Sequence, residues 1–338
     1  MRRRVSAFAV ALATLALCVG AAGCGEKKEP LKPGATVPFE LMLDFFPNAD
    51  HAGIYEAKAQ GLFKSLGLDV KIRTPSDPAA PLKQVAAGRV DLAISYEPEL
   101  LRARDQGLHV VAVGALVRTP LTSIISLPKA RIDKPADLAG KTVGTAGIDY
   151  QHAYLEAILK NANVPPSRVK ERNVGFNLVP ALVSKKVDSI LGGYWNYEGI
   201  QLAQQKRHPK IIRIEKAGVP TYDELVLVAN ADGLEQNGAK IRSFIGALAR
   251  GTRELNRNPE QGIKALLAAN PDLDAKLQRA SVKVTLPFML PPKDKPFGYM
   301  NGKEWDSFAE WMSESGILNQ VSSAAGAFTS KYLPGAGI

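Results

Sequence analysis

Cysteine is nearly absent from this 338-residue chain, which has only Cys18 and Cys24. Cys18 lies inside an apolar leader-like stretch. No disulfide framework, cysteine zinc site or cysteine nucleophile therefore remains in the chain beyond it. Histidine is scarce as well. The four, His51, His109, His152 and His208, show no metal-ligand spacing. No Gly-x-Ser-x-Gly elbow occurs. The Gly144–Tyr150 turn lacks both the G-x-G-x-x-G spacing and the terminal Gly-Lys-Ser/Thr of a nucleotide loop. Acid pairs such as Asp223-Glu224 are adjacent and read as one exposed and one buried residue, not as a catalytic couple. No internal repeat or low-complexity tract stands out, and no cofactor is implied.

Basic residues exceed acidic ones, with a net charge of +10 over the whole chain. The surplus is scattered. No arginine-rich helix with interleaved aromatics appears, which speaks against nucleic acid as a partner. A basic face near an acidic lipid surface accounts for the charge. A hydrophobic content of 46% with 22% charged residues is that of a globular protein.

The amino terminus carries the most directive pattern. Arg2-Arg3-Arg4, the apolar run from Val5 to Val19, and Ala21-Ala22-Gly23-Cys24 read as a lipoprotein signal peptide over residues 1–23, with Cys24 as the lipidation site. The apolar run is short for a membrane span. The expected result is a chain anchored by lipid to the extracytoplasmic face of a membrane. Residues 24–38, with Pro30, Pro33, Gly34 and Pro38, read as a flexible tether.

Strands and helices then alternate. The units predict an α/β fold of two lobes, residues 39–125 plus 226–338 and residues 126–225, each with a mainly parallel sheet. Thr122 to Leu127 and Leu225 to Asn230 are the proposed crossings between lobes, acting as a hinge. Ligands of such sheets sit beyond the carboxyl ends of strands.

Four strand ends carry the candidate site residues. After strand 39–44 come Phe46, Asn48 and His51, which read either as stacking and hydrogen-bonding groups or as core, cap and satisfied histidine. Ser95 and Tyr96 end the next strand, where Ser95 is also a candidate cap. The glycine turn at Gly147, with Tyr150, offers backbone N–H groups to a ligand oxygen. Gly192 to Gly199 packs Tyr194, Trp195, Asn196, Tyr197 and Glu198 between glycines. Glu198 reads either as an acceptor from an exocyclic amine or as a partner of a nearby lysine, and Trp195 either as a ligand contact or as packing between lobes.

These segments, with Leu43 to Tyr55, Gly88 to Ala93 and Asp137 to Gly144, resemble the NMT1/THI5-like family of ABC-transporter solute-binding lipoproteins. They look most like the receptors for thiamin-precursor pyrimidines, with riboflavin receptors the nearest competitor. The resemblance implies a type II periplasmic-binding fold acting as a monomer with an ABC permease and its ATPase. It implies pyrimidine contacts at Asn48, Trp195 and Glu198, with stacking from Phe46 or Tyr96. Tyr222 joins the candidate ligand-binding residues from the segment before the return strand. Fungal enzymes of the family make the pyrimidine from their own histidine and pyridoxal phosphate, and they carry cysteines before that strand. Here His51 stands at the histidine's place, but Gly218 to Glu224 holds no cysteine. A receptor is expected, not an enzyme.

Overall fold

A computed structural model describes residues 35–320 and 323–335. The leader and Cys24 lie outside the described residues. Among those described, no helix is long and apolar enough to cross a membrane. The first strand begins at Val37, so the segment expected to be tether through residue 38 already contributes to a sheet.

Two five-stranded sheets form. The first has strands β1 (Val37–Met42), β2 (Leu68–Arg73), β3 (Leu92–Ser95), β4 (Val110–Val117) and β10 (Leu225–Asn230), in the order β2-β1-β3-β10-β4. The second has β5 (Thr122–Ser126), β6 (Thr142–Thr145), β7 (Lys170–Asn173), β8 (Ser189–Tyr194) and β9 (Lys210–Arg213), in the order β7-β6-β8-β5-β9. Strands joined through helices pair in parallel, as in β1–β2, β1–β3, β6–β7 and β6–β8. β10 runs antiparallel to both β3 and β4, and β5 antiparallel to both β8 and β9. The sheets are therefore mixed where mainly parallel ones were expected.

The antiparallel strands are the segments read as crossings. Each instead sits inside a sheet, where neighbouring strands and helices cover it, so that β5 is buried throughout and β10 in all but its last residue. β5 belongs to the second sheet, which moves the lobe boundary to just before Thr122. Residues 118–121 and 214–224 make the actual passages between sheets. Glu224 ties them together. Its carboxyl accepts from the backbone N–H of Leu121 (2.6 Å) and Thr122 (2.8 Å), from the Thr122 hydroxyl (2.9 Å) and from the Tyr222 hydroxyl (3.1 Å). The adjacent acids expected to split between surface and interior are both buried, at 5% exposure for Asp223 and 0% for Glu224. Each has donors to hold it, Asp223 from the Trp305 indole at 2.7 Å.

Helix packing in the first lobe relies on two glycines. Gly251, in the helix Leu234–Arg257, lies so close to the helix Ala52–Ala59 that a Cβ there would stand 2.5 Å from the Ala57 Cβ and 2.6 Å from the Gly53 carbonyl oxygen. Gly251→Ala is expected to lower stability by about 1–3 kcal/mol through overpacking, read as a shift in urea midpoint.

Candidate functional site

A cleft enclosing about 430 Å³ of space, its open mouth included, lies between the two sheets. Phe45, Asn48 and Tyr96 form its first-lobe wall, all following strand ends of the first sheet. The second lobe supplies Ala146, Ile148, Tyr150 and Gln151 after β6, then Gly192, Tyr194, Tyr197 and Glu198 at the end of β8. Five aromatic rings thus surround three polar side chains. No lysine, arginine or histidine lines the cleft.

Of the residues anticipated from sequence, Asn48, Tyr96, Tyr150 and Glu198 line this space. Asn48 does so while also capping a turn. Its Oδ1 accepts from the Asp50 N–H (2.8 Å) and its Nδ2 donates to the Phe46 carbonyl (3.2 Å). Each polar end keeps one further hydrogen-bonding capacity. The Tyr96 hydroxyl donates to Asp44 Oδ2 at 3.0 Å, so its lone pairs are what it has left to offer. Glu198 opens the helix Glu198–Gln204, and its Oε2 accepts from the Tyr194 N–H at 2.7 Å. No lysine pairs with it among the described residues.

Seven anticipated residues lie elsewhere. Phe46 is displaced from the lining by its neighbour Phe45, against which it packs at 4.4 Å between ring centroids. His51 is fully buried behind the wall. Its Nδ1 accepts from the Asn48 N–H (3.2 Å), which assigns the ring proton to Nε2, and Nε2 donates to Asp44 Oδ1 (2.8 Å). Ser95 donates to Glu99 at 2.6 Å, and the buried Tyr222 is drawn to Glu224. Gly147, with φ of +80°, packs against Asn173. The N–H of Ala146 in that turn is taken by Gln151 Oε1 at 2.8 Å.

Trp195 and Asn196 bind the lobes to each other instead of lining the cleft. The Trp195 indole donates to the Pro120 carbonyl (3.1 Å), its ring meets Phe288 edge-on at 5.9 Å, and Arg213 sits 4.0 Å over its face. Asn196 reaches Asp50 and Thr285. Phe45, Gln151, Tyr194 and Tyr197 line the cleft without having been chosen. Their signal was present in the same strand-end segments, but neighbouring residues of a turn face opposite ways. Gly192 has φ of +95°, and a Cβ there would come within 2.2 Å of Gln151 Nε2.

Burial dominates the electrostatics. It pushes the carboxyls of Glu198, Glu99 and Glu224 up to about 7 and that of Asp50 to about 6. Hydrogen bonds to Glu198 from backbone N–H groups act in the opposite direction and lose. A glutamate raised from its usual 4.5 binds more protons in the folded than in the unfolded state between those two values. The ligand-free protein is therefore expected to lose stability as pH rises from about 4.5 through 7 on this account. Thermal melts across that window check the sign.

Residues 48–262 match the family described as NMT1/THI5 like. A Haemophilus influenzae protein provisionally named for thiamine biosynthesis is 36% identical over 82% of this chain and 87% of its own. The chain belongs to the NMT1/THI5-like family. A formylaminopyrimidine-binding protein of Halalkalibacterium halodurans is 34% identical, covering 86% of this chain and 89% of that one. More distant, at 25% identity over 72% of this chain and 74% of its own, is a 4-amino-5-hydroxymethyl-2-methylpyrimidine phosphate synthase of Saccharomyces cerevisiae. The alkanesulfonate-binding protein of Xanthomonas axonopodis superposes with a TM-score of 0.66 at 16% identity, over 87% of this chain and 99% of that one. The fold is that of periplasmic binding proteins, and this family member has the build of a substrate-binding protein.

Proposed function

We propose that the protein is an extracytoplasmic, lipid-anchored receptor of an ABC importer that captures a thiamin-precursor pyrimidine of the formylaminopyrimidine type. The observation that carries this reading is the cleft's composition: aromatic walls, an amide and a buried carboxyl, with no cationic side chain. Aromatic rings take a flat heterocycle face-on. Asn48 offers a donor and an acceptor to the ring edge, and Glu198 accepts from an exocyclic amine. Tyr96, with its proton committed to Asp44, accepts too. An anionic ligand would meet desolvated negative charge with nothing to neutralise it. That sets this cleft apart from one suited to a sulfonate, and it disfavours a phosphorylated pyrimidine.

Binding rather than catalysis suits His51. Both ring nitrogens are engaged and the side chain is fully enclosed, so it has no route to a substrate. The relative named for formylaminopyrimidine supports the ligand class. Tyr150, Tyr194 and Tyr197 join Asn48, Tyr96 and Glu198 as the proposed ligand contacts.

Titration calorimetry with a formylated aminopyrimidine, riboflavin and an alkanesulfonate tests the proposal. Saturable heat is expected with the pyrimidine alone. Absence of heat with the pyrimidine, or equal heat with the sulfonate, would overturn it.

A further inference from the structure

Behind the first-lobe wall of the cleft, a chain of buried groups sets the direction of a hydrogen bond at a lining residue. Asp44 follows β1, His51 ends the turn Ala49–His51, and Tyr96 follows β3. All three are between 0% and 4% exposed. Of the three, only Tyr96 lines the cleft.

The chain starts at a group that can only donate. The backbone N–H of Asn48 reaches His51 Nδ1 at 3.2 Å, so that nitrogen is an acceptor and the ring proton sits on Nε2. Nε2 then donates to Asp44 Oδ1 at 2.8 Å, which keeps that oxygen an acceptor. The other oxygen, Oδ2, faces the Tyr96 hydroxyl at 3.0 Å. A carboxylate has no proton to give, so the hydroxyl donates. Burial, and next the charge of Asp44, push the Tyr96 hydroxyl well above its usual pKa, so it keeps the proton it donates. Every proton along the chain therefore points at Asp44, and Tyr96 has only lone pairs left to offer. The neighbouring hydroxyl does not take them. Tyr194 also lines the cleft and feels the charges of Tyr96 and Asp44, yet its buried oxygen makes no hydrogen bond among the described residues.

We propose that Asp44 is a positioning residue that sets ligand specificity: by holding the Tyr96 proton it makes the Tyr96 oxygen an acceptor, which selects a pyrimidine bearing an exocyclic amine over one bearing an oxo group at the same place. The inference rests on the pyrimidine reading above and adds to it a determinant that does not touch the ligand. An amine donates to the lone pairs of Tyr96. An oxo group sets its own lone pairs against them and leaves both acceptors unpaired away from water. Asp44→Asn reverses this polarity with little change of shape. Because His51 Nε2 still needs an acceptor, the asparagine oxygen stays with the histidine and Nδ2 comes to face Tyr96. Nδ2 then donates to the Tyr96 oxygen, and the Tyr96 proton is released to the ligand.

Titration calorimetry tests this with a formylated aminopyrimidine and its analogue carrying oxo in place of the exocyclic amine, on the wild type, Asp44→Asn, Tyr96→Phe and the double variant. The wild type is expected to favour the amine by about tenfold or more, and Asp44→Asn to reduce that ratio by about tenfold. In the Tyr96→Phe background Asp44→Asn should leave the ratio unchanged, since the hydroxyl that carries its effect is gone. The ratio is the informative quantity because a general loosening of the wall would weaken both ligands alike. Should Asp44→Asn fail to fold, Tyr96→Phe alone decides the matter: it should weaken the amine ligand and spare or improve the oxo one. An equal loss for both ligands, an unchanged ratio in Asp44→Asn, or the same ratio shift without the Tyr96 hydroxyl would overturn the proposal. Absence of heat with the pyrimidine in the wild type is a different result, which removes the pyrimidine reading itself and this inference with it.

Discussion

Glu198→Gln is expected to weaken binding of a formylated aminopyrimidine by about 10- to 150-fold, the equivalent of ~1.5–3 kcal/mol for a hydrogen bond to a charged acceptor. The substitution is close to isosteric. The glutamine oxygen can still accept from the Tyr194 N–H, which in the native protein reaches Glu198 Oε2 at 2.7 Å, so the turn should survive. What disappears is the negative charge facing the ligand amine. Burial without a cation raises this carboxyl to about 7, so the same experiment has a pH signature. A ligand that donates to the carboxylate favours its ionised form. Wild-type affinity should then fall as pH is lowered from about 8 to 6, while the Gln variant should follow a flatter course. Calorimetry at several pH values measures both. Unchanged affinity in the variant would remove Glu198 from the binding set.

The largest stability effect is expected at Phe244. Its ring lies fully buried between Phe39 of β1 and Phe63, stacked on each at 4.9 and 5.0 Å with interplanar angles of 14° and 16°. One side chain therefore joins the sheet to the helix Leu234–Arg257 and to the short helix Leu62–Ser65. Phe244→Ala removes contacts on both faces and leaves a cavity that rigid neighbours cannot close. The expected loss is about 3–5 kcal/mol. Equilibrium urea unfolding measures it. The cleft lies elsewhere in the lobe, so a variant that still folds should retain pyrimidine affinity within a few-fold.

Alternating strands and helices made the two-lobe α/β plan readable, because the hydrophobic period changes from one element to the next. Pairing direction was less readable. β5 and β10 are short strands, one mixed and one apolar, and nothing local tells such a segment whether it crosses between sheets or sits inside one. Their partners, β8 and β9 for one and β3 and β4 for the other, are distant in sequence. The strand-end rule led to the segments around Asn48, Tyr96 and Glu198. It could not choose between adjacent side chains. Phe45 faces the cleft and Phe46 does not, while Tyr194 and Glu198 line it and Asn196 turns toward Asp50. Ser95 and Tyr222 lie away from the cleft lining for a different reason. Each is held by a buried glutamate, Glu99 or Glu224, whose burial depends on the whole fold.

The Glu224 tie changes what lobe motion has to break. Its four hydrogen bonds lie at the axle, within the two passages themselves, and not at the rims that separate when a solute leaves. The two passages are thus tied into one unit, which should move as a single ribbon if the lobes part. Other contacts join the two sides away from the passages, such as Asn196 with Asp50 and Arg102 with Asp149. Trimming those outer contacts should speed solute release without loosening the pivot.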